Sequence, residues 1–127
     1  MTIHEELKKI DDLKQHKRKV DGLKELGYVA KQIVSLNYAN HLKWNMPVGA
    51  PPYNENEEGS VPKAEDFSRG LSSIFNQKNH QWAREKVLID MLQYLNKEDS
   101  EILIAVKDKE LTKIFPTITE ELVKEAL

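Results

Sequence analysis

Apolar residues recur at helical spacing through almost the whole chain, and nowhere do they alternate with period two for long enough to build a strand. Ile3, Leu7 and Ile10 form the first stripe, with Leu13 at its flank. The preceding Thr2 and Glu5 have the spacing of a capping box, in which hydroxyl and carboxylate each satisfy a backbone N–H of the other residue. Val20, Leu23 and Leu26 make a second short helix, and Gly27 is placed to end it in a left-handed conformation. Over residues 28–42, Val29, Ile33 and Leu36 share one face with Ala30, Val34 and Tyr38 beside them, a width that predicts a central helix. Phe67, Leu71, Ile74 and Phe75 give the next stripe, interrupted by Gly70. The strongest pattern runs from about Asn79 to Leu95, with Trp82, Leu88, Met91, Leu92 and Leu95 expected inward. Ile102, Leu103 and Val106 repeat it over residues 100–107, Pro116 ends the LTKIF segment, and Thr117 or Thr119 caps a last helix, EELVKEAL. The expectation is an all-α fold: one compact domain over residues 1–127, built from six or seven short helices. No internal repeat is present.

One stretch breaks the pattern. Residues 44–62 read WNMPVGAPPYNENEEGSVP, with Pro47, Pro51, Pro52 and Pro62 beside Trp44, Met46, Val48 and Tyr53. Prolines stiffen the backbone, so little entropy is lost when a partner grips such a segment. Aromatic and apolar side chains of this kind are common interface anchors. Two readings therefore stand: the loop docks a partner through Trp44, Met46, Pro51, Pro52 and Tyr53, or it folds back to cover the protein's own core.

A chain of 127 residues has length enough for a real core without metal or disulfides. There is no cysteine, so disulfide and thiolate chemistry are excluded. No apolar run approaches the roughly eighteen residues that a membrane span needs, and the start, MTIHEELKKI, is too charged for a signal peptide; a soluble intracellular protein is expected. The net charge of −2 gives no overall attraction to nucleic acid. The charge is nevertheless segregated. Residues 14–24 carry Lys14, Lys17, Arg18, Lys19 and Lys24 against Asp21, whereas residues 54–66 carry Glu55, Glu57, Glu58, Glu65 and Asp66 against Lys63. Lys14, Lys17, Arg18 and Lys19 are the candidates for phosphate contact, although no aromatic residues are interleaved to stack on bases.

The sequence offers no reaction and no cofactor fingerprint. His4, His16, His41 and His80 form no metal-binding spacing, and no nucleophile elbow, phosphate loop or dinucleotide signature occurs. From Asn54 to Glu65 the order of residues mimics a calcium-binding EF-hand loop. Asn stands where Asp is expected, however, Pro62 sits inside the loop, and Pro51 and Pro52 deny it an entering helix, so an acidic turn is the better reading. PPY lacks the residue that a WW-domain ligand carries between the second proline and the tyrosine. No metal site and no enzyme are expected.

The loop MPVGAPPY (46–53), the segment AREKVLIDMLQYL (83–95), the segment SEILIAVKDKEL (100–111) and the closing ITEELVKEA (118–126) occur in an order that resembles a family of small proteins of T-even-like tailed bacteriophages, many of them marine. The resemblance covers residues from about 41 to 126, and the first forty residues match only in helical character. Met46 departs from the usual Leu, and Val87–Leu88 stand where an aromatic is common. The resemblance implies a phage origin and action in the host bacterial cytoplasm, but no activity. Small phage proteins of this kind often dock on replication or transcription machinery, and by that association, not from these residues, host RNA polymerase is the first candidate partner. A structural or assembly role in the virion and weak nucleic-acid binding are the alternatives.

Overall fold

In the computed structural model, which describes all 127 residues, the chain is entirely helical. Eight helices follow one another: α1 (Ile3–Asp11), α2 (His16–Lys24), α3 (Tyr28–Asn37), α4 (Ala64–Phe75), α5 (Gln81–Tyr94), α6 (Lys97–Lys107), α7 (Leu111–Ile114) and α8 (Glu120–Ala126). That is one more than the upper count expected. The extra element is the single turn α7, too short to show a stripe and set in the LTKIF segment that Pro116 closes.

The apolar stripes meet in one core. α6 is its centre, in place of the helix expected over 28–42: Ile102, Leu103 and Val106 are fully buried, and α6 packs against α1, α3, α5 and α7, whereas α3 packs chiefly against α6 and α4. α4 and α5, joined by a five-residue connection, lie together as an antiparallel hairpin, and α2 packs on α8. The Thr2–Glu5 capping box forms as expected, Glu5 N donating to Thr2 Oγ1 at 3.0 Å and Thr2 N to Glu5 Oε1 at 3.2 Å. Of the two candidate caps near the end, Thr119 caps α8, while Thr117 turns to Asp11 at the end of α1. A second support for α1 comes from far along the chain. The buried Asp99 carboxylate, in the first turn of α6, accepts Ile3 N at 3.2 Å and His4 N at 2.8 Å, which satisfies free amides at the positive end of α1.

Two sequence expectations are corrected. Gly27 does not adopt a left-handed conformation; at φ −64° it is the N-cap of α3, and α2 closes through Glu25 instead. Trp82 does not point inward. It is 69% exposed, because the buried stripe of α5 is Arg84, Leu88 and Leu92, and Trp82 lies off it. Met91 is half-buried on the opposite flank. α5 carries apolar residues around most of its circumference, so its periodicity did not single out one inward face.

Candidate functional site

The first half of the 44–62 loop is held from below by charged side chains that grip its backbone. Arg84, only 5% exposed, donates from Nη1 to the carbonyl of Trp44 at 2.7 Å, and at 3.4 Å to that of Ile74. Its Nη2 donates to the carbonyl of Asn45 at 3.4 Å. One helix away, Lys107 donates from Nζ to the Pro47 carbonyl at 2.8 Å and to Asp108 Oδ1 at 2.6 Å. Asp108 in turn accepts the Gly49 N–H through Oδ2 at 2.9 Å. The Lys107 and Asp108 side chains are themselves almost fully buried. Gly49 sits at φ +92°, where a side chain would be strained, and Asn45 at φ +48° is one of the few other residues that tolerate a left-handed turn. Lys109 completes the set by donating to the carbonyl of Leu36 at 2.8 Å, at the end of α3; burial and the nearby Lys43 lower its pKa. Thus the MPVGAPPY, AREK and KDK segments, which are distant in sequence, meet in space.

The second half of the loop closes the end of α5. Ser60 N donates to the Tyr94 carbonyl at 3.0 Å, Asn56 Nδ2 to the Gln93 carbonyl at 3.2 Å, and Asn54 N to Gln93 Oε1 at 3.1 Å. Asn56 also accepts Glu58 N, an Asx turn. At the start of the calcium-like spacing, Asn56 thereby ties to the helix through its side chain and Asn54 through its backbone N–H. Gly59 passes so close to the α5–α6 junction that a Cβ there would lie 2.3 Å from the Leu95 carbonyl carbon.

With the backbone fixed, the side chains separate into two sets. Trp44 belongs to the core: it is 6% exposed and meets Phe75 edge-on, ring centres 4.8 Å apart. It is therefore not available to a partner in this conformation, and the lid reading holds for it. Met46, Pro51 and Tyr53 are half-buried, and Pro52 is exposed. Burial, helped by the carboxylates of Glu55 and Glu101, raises the pKa of the Tyr53 phenol. Val48 stands out at the tip, 84% exposed. A groove of about 340 Å³ separates the loop from α5, with Met46, Pro51 and Pro52 on one wall and Leu88 and Ile89 on the other. Trp82 lies on the same side of α5 as Glu85 and Ile89, one and two turns before them.

The basic run is divided as well. Lys19 is committed internally: its Nζ donates to the Asp11 carbonyl at 2.8 Å and to Thr117 Oγ1 at 2.7 Å, capping the end of α1. His16 meets Glu125 of α8, whose acidic surface faces α2. Lys14, Lys17 and Arg18 remain on the surface without ion pairs. His4 contacts Glu98 at 2.9 Å, and His80 stacks on Trp82. No three His, Asp or Glu side chains converge with the spacing to hold a metal ion, and no helix is long and apolar enough to cross a membrane.

Sequence reasoning missed Arg84, Lys107 and Asp108. The signal for Arg84 was present, since it occupies the buried stripe one turn before Leu88. A charge in that place needs partners from elsewhere in the chain. No curated protein and no solved structure matches this chain. A family model does, over residues 6–113, from within α1 through α2 and α3 to the loop and its supports; the chain belongs to that family, the family of unknown function DUF6433.

Proposed function

We propose that the chain is a small phage-encoded, non-enzymatic binding protein that docks on and modulates a larger phage or host machine. Bacterial RNA polymerase is the first partner to test. The resemblance to proteins of tailed phages supports the setting. The observation that carries the docking surface is the loop held through its own backbone by Arg84, Lys107 and Asp108, with Val48 left 84% exposed at the tip. A segment fixed in this way loses little further entropy on binding. The proposed contact set is Met46, Val48, Pro51, Pro52 and Tyr53, joined by Ile89 across the groove and by the exposed Trp82 two turns before it on α5; Trp44 is left out of it by its burial.

The test is direct binding of fluorescently labelled protein to purified bacterial RNA polymerase, wild type against Val48→Asp. Loss of a well-seated apolar anchor weakens binding about tenfold or more. No binding by the wild type, or equal binding by the variant with its fold intact, overturns the proposal. Assembly into the phage particle is the second reading. It is favoured by the separation of the basic surface at Lys14, Lys17 and Arg18 from the acidic 55–66 segment, and finding the protein in purified virions would select it.

A further inference from the structure

α5 has two apolar flanks, and only one of them faces the loop. On the other, Val87, Met91 and Tyr94 border a second groove of about 380 Å³ between α5 and α4, floored by Phe67 and Leu95. Gly70 opens this groove: it has no side chain where the helices approach, and a Cβ there would lie 3.0 Å from Met91 Sδ. Nothing within the chain covers the groove, and Tyr94 is 54% exposed at its end.

The charges on its rims restrict what fits. The α4 rim carries Arg69, with Asp66 one turn before it, and the α5 rim carries Asp90. Each is the residue just before a member of the Gly70–Met91 contact, so in antiparallel helices the two lie within about one helical turn of the same level along the groove. At present they are engaged only in exposed pairs on their own helices, Arg69–Asp66 at 3.3 Å and Lys86–Asp90 at 3.2 Å. Such pairs are weak and exchange readily. A groove with opposite charges at one level on its two rims is complementary to itself. A two-fold axis running along it lays α4 of each copy over α5 of the other. Arg69 then meets Asp90 of the second copy twice over, while the apolar floors close on each other as in a four-helix bundle.

We propose that the α4–α5 face is a self-association surface, and that its occupant is a second copy of this chain docked about that axis. This goes beyond the docking role of the loop and uses the opposite flank of α5, so either can fail alone. The test is sedimentation velocity across a concentration series, on the full chain. The wild type forms a reversible dimer in the micromolar range. Arg69→Asp and Asp90→Arg, each placing like charges opposite one another, weaken it about tenfold or more, and the double swap Arg69→Asp/Asp90→Arg restores it. Both positions are exposed, and restoration by the swap separates interface loss from misfolding. A chain that stays monomeric throughout, or a dimer that the single reversals leave unchanged, overturns the proposal. So does a dimer that both singles weaken and the swap does not restore.

Discussion

Arg84 is the residue whose removal most directly tests how the loop is held. Its guanidinium is buried, has no carboxylate partner, and leaves Nε without a hydrogen bond. One effect of replacing it with methionine is therefore favourable, because a charge buried without a counter-ion is costly to dehydrate. The opposing effect is larger. The 2.7 Å bond to the Trp44 carbonyl is charge-assisted and stabilises by about 1.5–3 kcal/mol, and two longer bonds are lost with it. The carbonyls of Trp44 and Ile74 are then left inside the fold without a donor. Methionine keeps most of the apolar stem, so the net destabilisation by Arg84→Met is about 2 kcal/mol. Arg84→Ala adds a cavity and brings it to about 3–4 kcal/mol. For 127 residues at about 2.1 cal/mol/K each, the unfolding entropy is about 270 cal/mol/K, so 2 kcal/mol lowers Tm by about 7 °C. The assay is thermal unfolding followed by circular dichroism and by tryptophan emission in a Trp82→Phe background. There Trp44 is the sole reporter, and it starts buried. Loosening the loop moves its emission to the red before the main transition. A Tm within about 2 °C of the parent with unshifted emission would refute the reasoning, since a grip of this strength cannot be lost without a larger change.

Two further outcomes follow from the geometry. Gly59→Ala drives a methyl into the Leu95–Asn96 backbone and destabilises by about 3 kcal/mol, measured by urea denaturation; a change below about 1 kcal/mol would show that the loop is not held against that junction. The Tyr38 phenol donates to the Ile118 carbonyl at 2.6 Å, and burial raises its pKa above 10.0. The folded chain holds that proton more tightly than the unfolded chain does. Its stabilisation is full below pH 10.0 and is lost as pH rises through the folded-state value, so Tyr38→Phe flattens the alkaline limb of a stability–pH curve.

Most of the helices were legible because a single face explains their period, and Thr2 and Glu5 announced a cap in short-range spacing, whereas the same rule offered Thr117 as readily as Thr119. Three things were not. α5 has apolar residues on both flanks, so its pattern was equally compatible with Trp82 inside, and only packing against α4, α6 and the loop selected Arg84, Leu88 and Leu92. Gly27 obeys the rule for ending a helix, yet it begins one, because the connection to α3 is too tight to hold a left-handed turn as well as a cap. The loop was visible as an anomaly, but its supports were hidden. The pairs Arg84–Trp44 and Lys107–Pro47 are separated by 40 and 60 residues, beyond the reach of any local pattern. Trp44 looked like a contact residue on composition alone; its fate depended on whether Phe75 lay beside it.

The long tie from Asp99 back to Ile3 and His4 has a consequence for how the chain is made. A ribosome delivers α1 first, yet the carboxylate that completes its start lies 96 residues later, and α8, on which α2 rests, comes later still. At about 5–20 residues per second, the first helices wait roughly 5–20 s for these contacts. During that interval Ile3, Leu7, Ile10, Val20 and Leu23 have only the packing of α1 on α2 to enter, without α6 and α8. The first two helices therefore reach their native surroundings only once residues 99–123 have emerged.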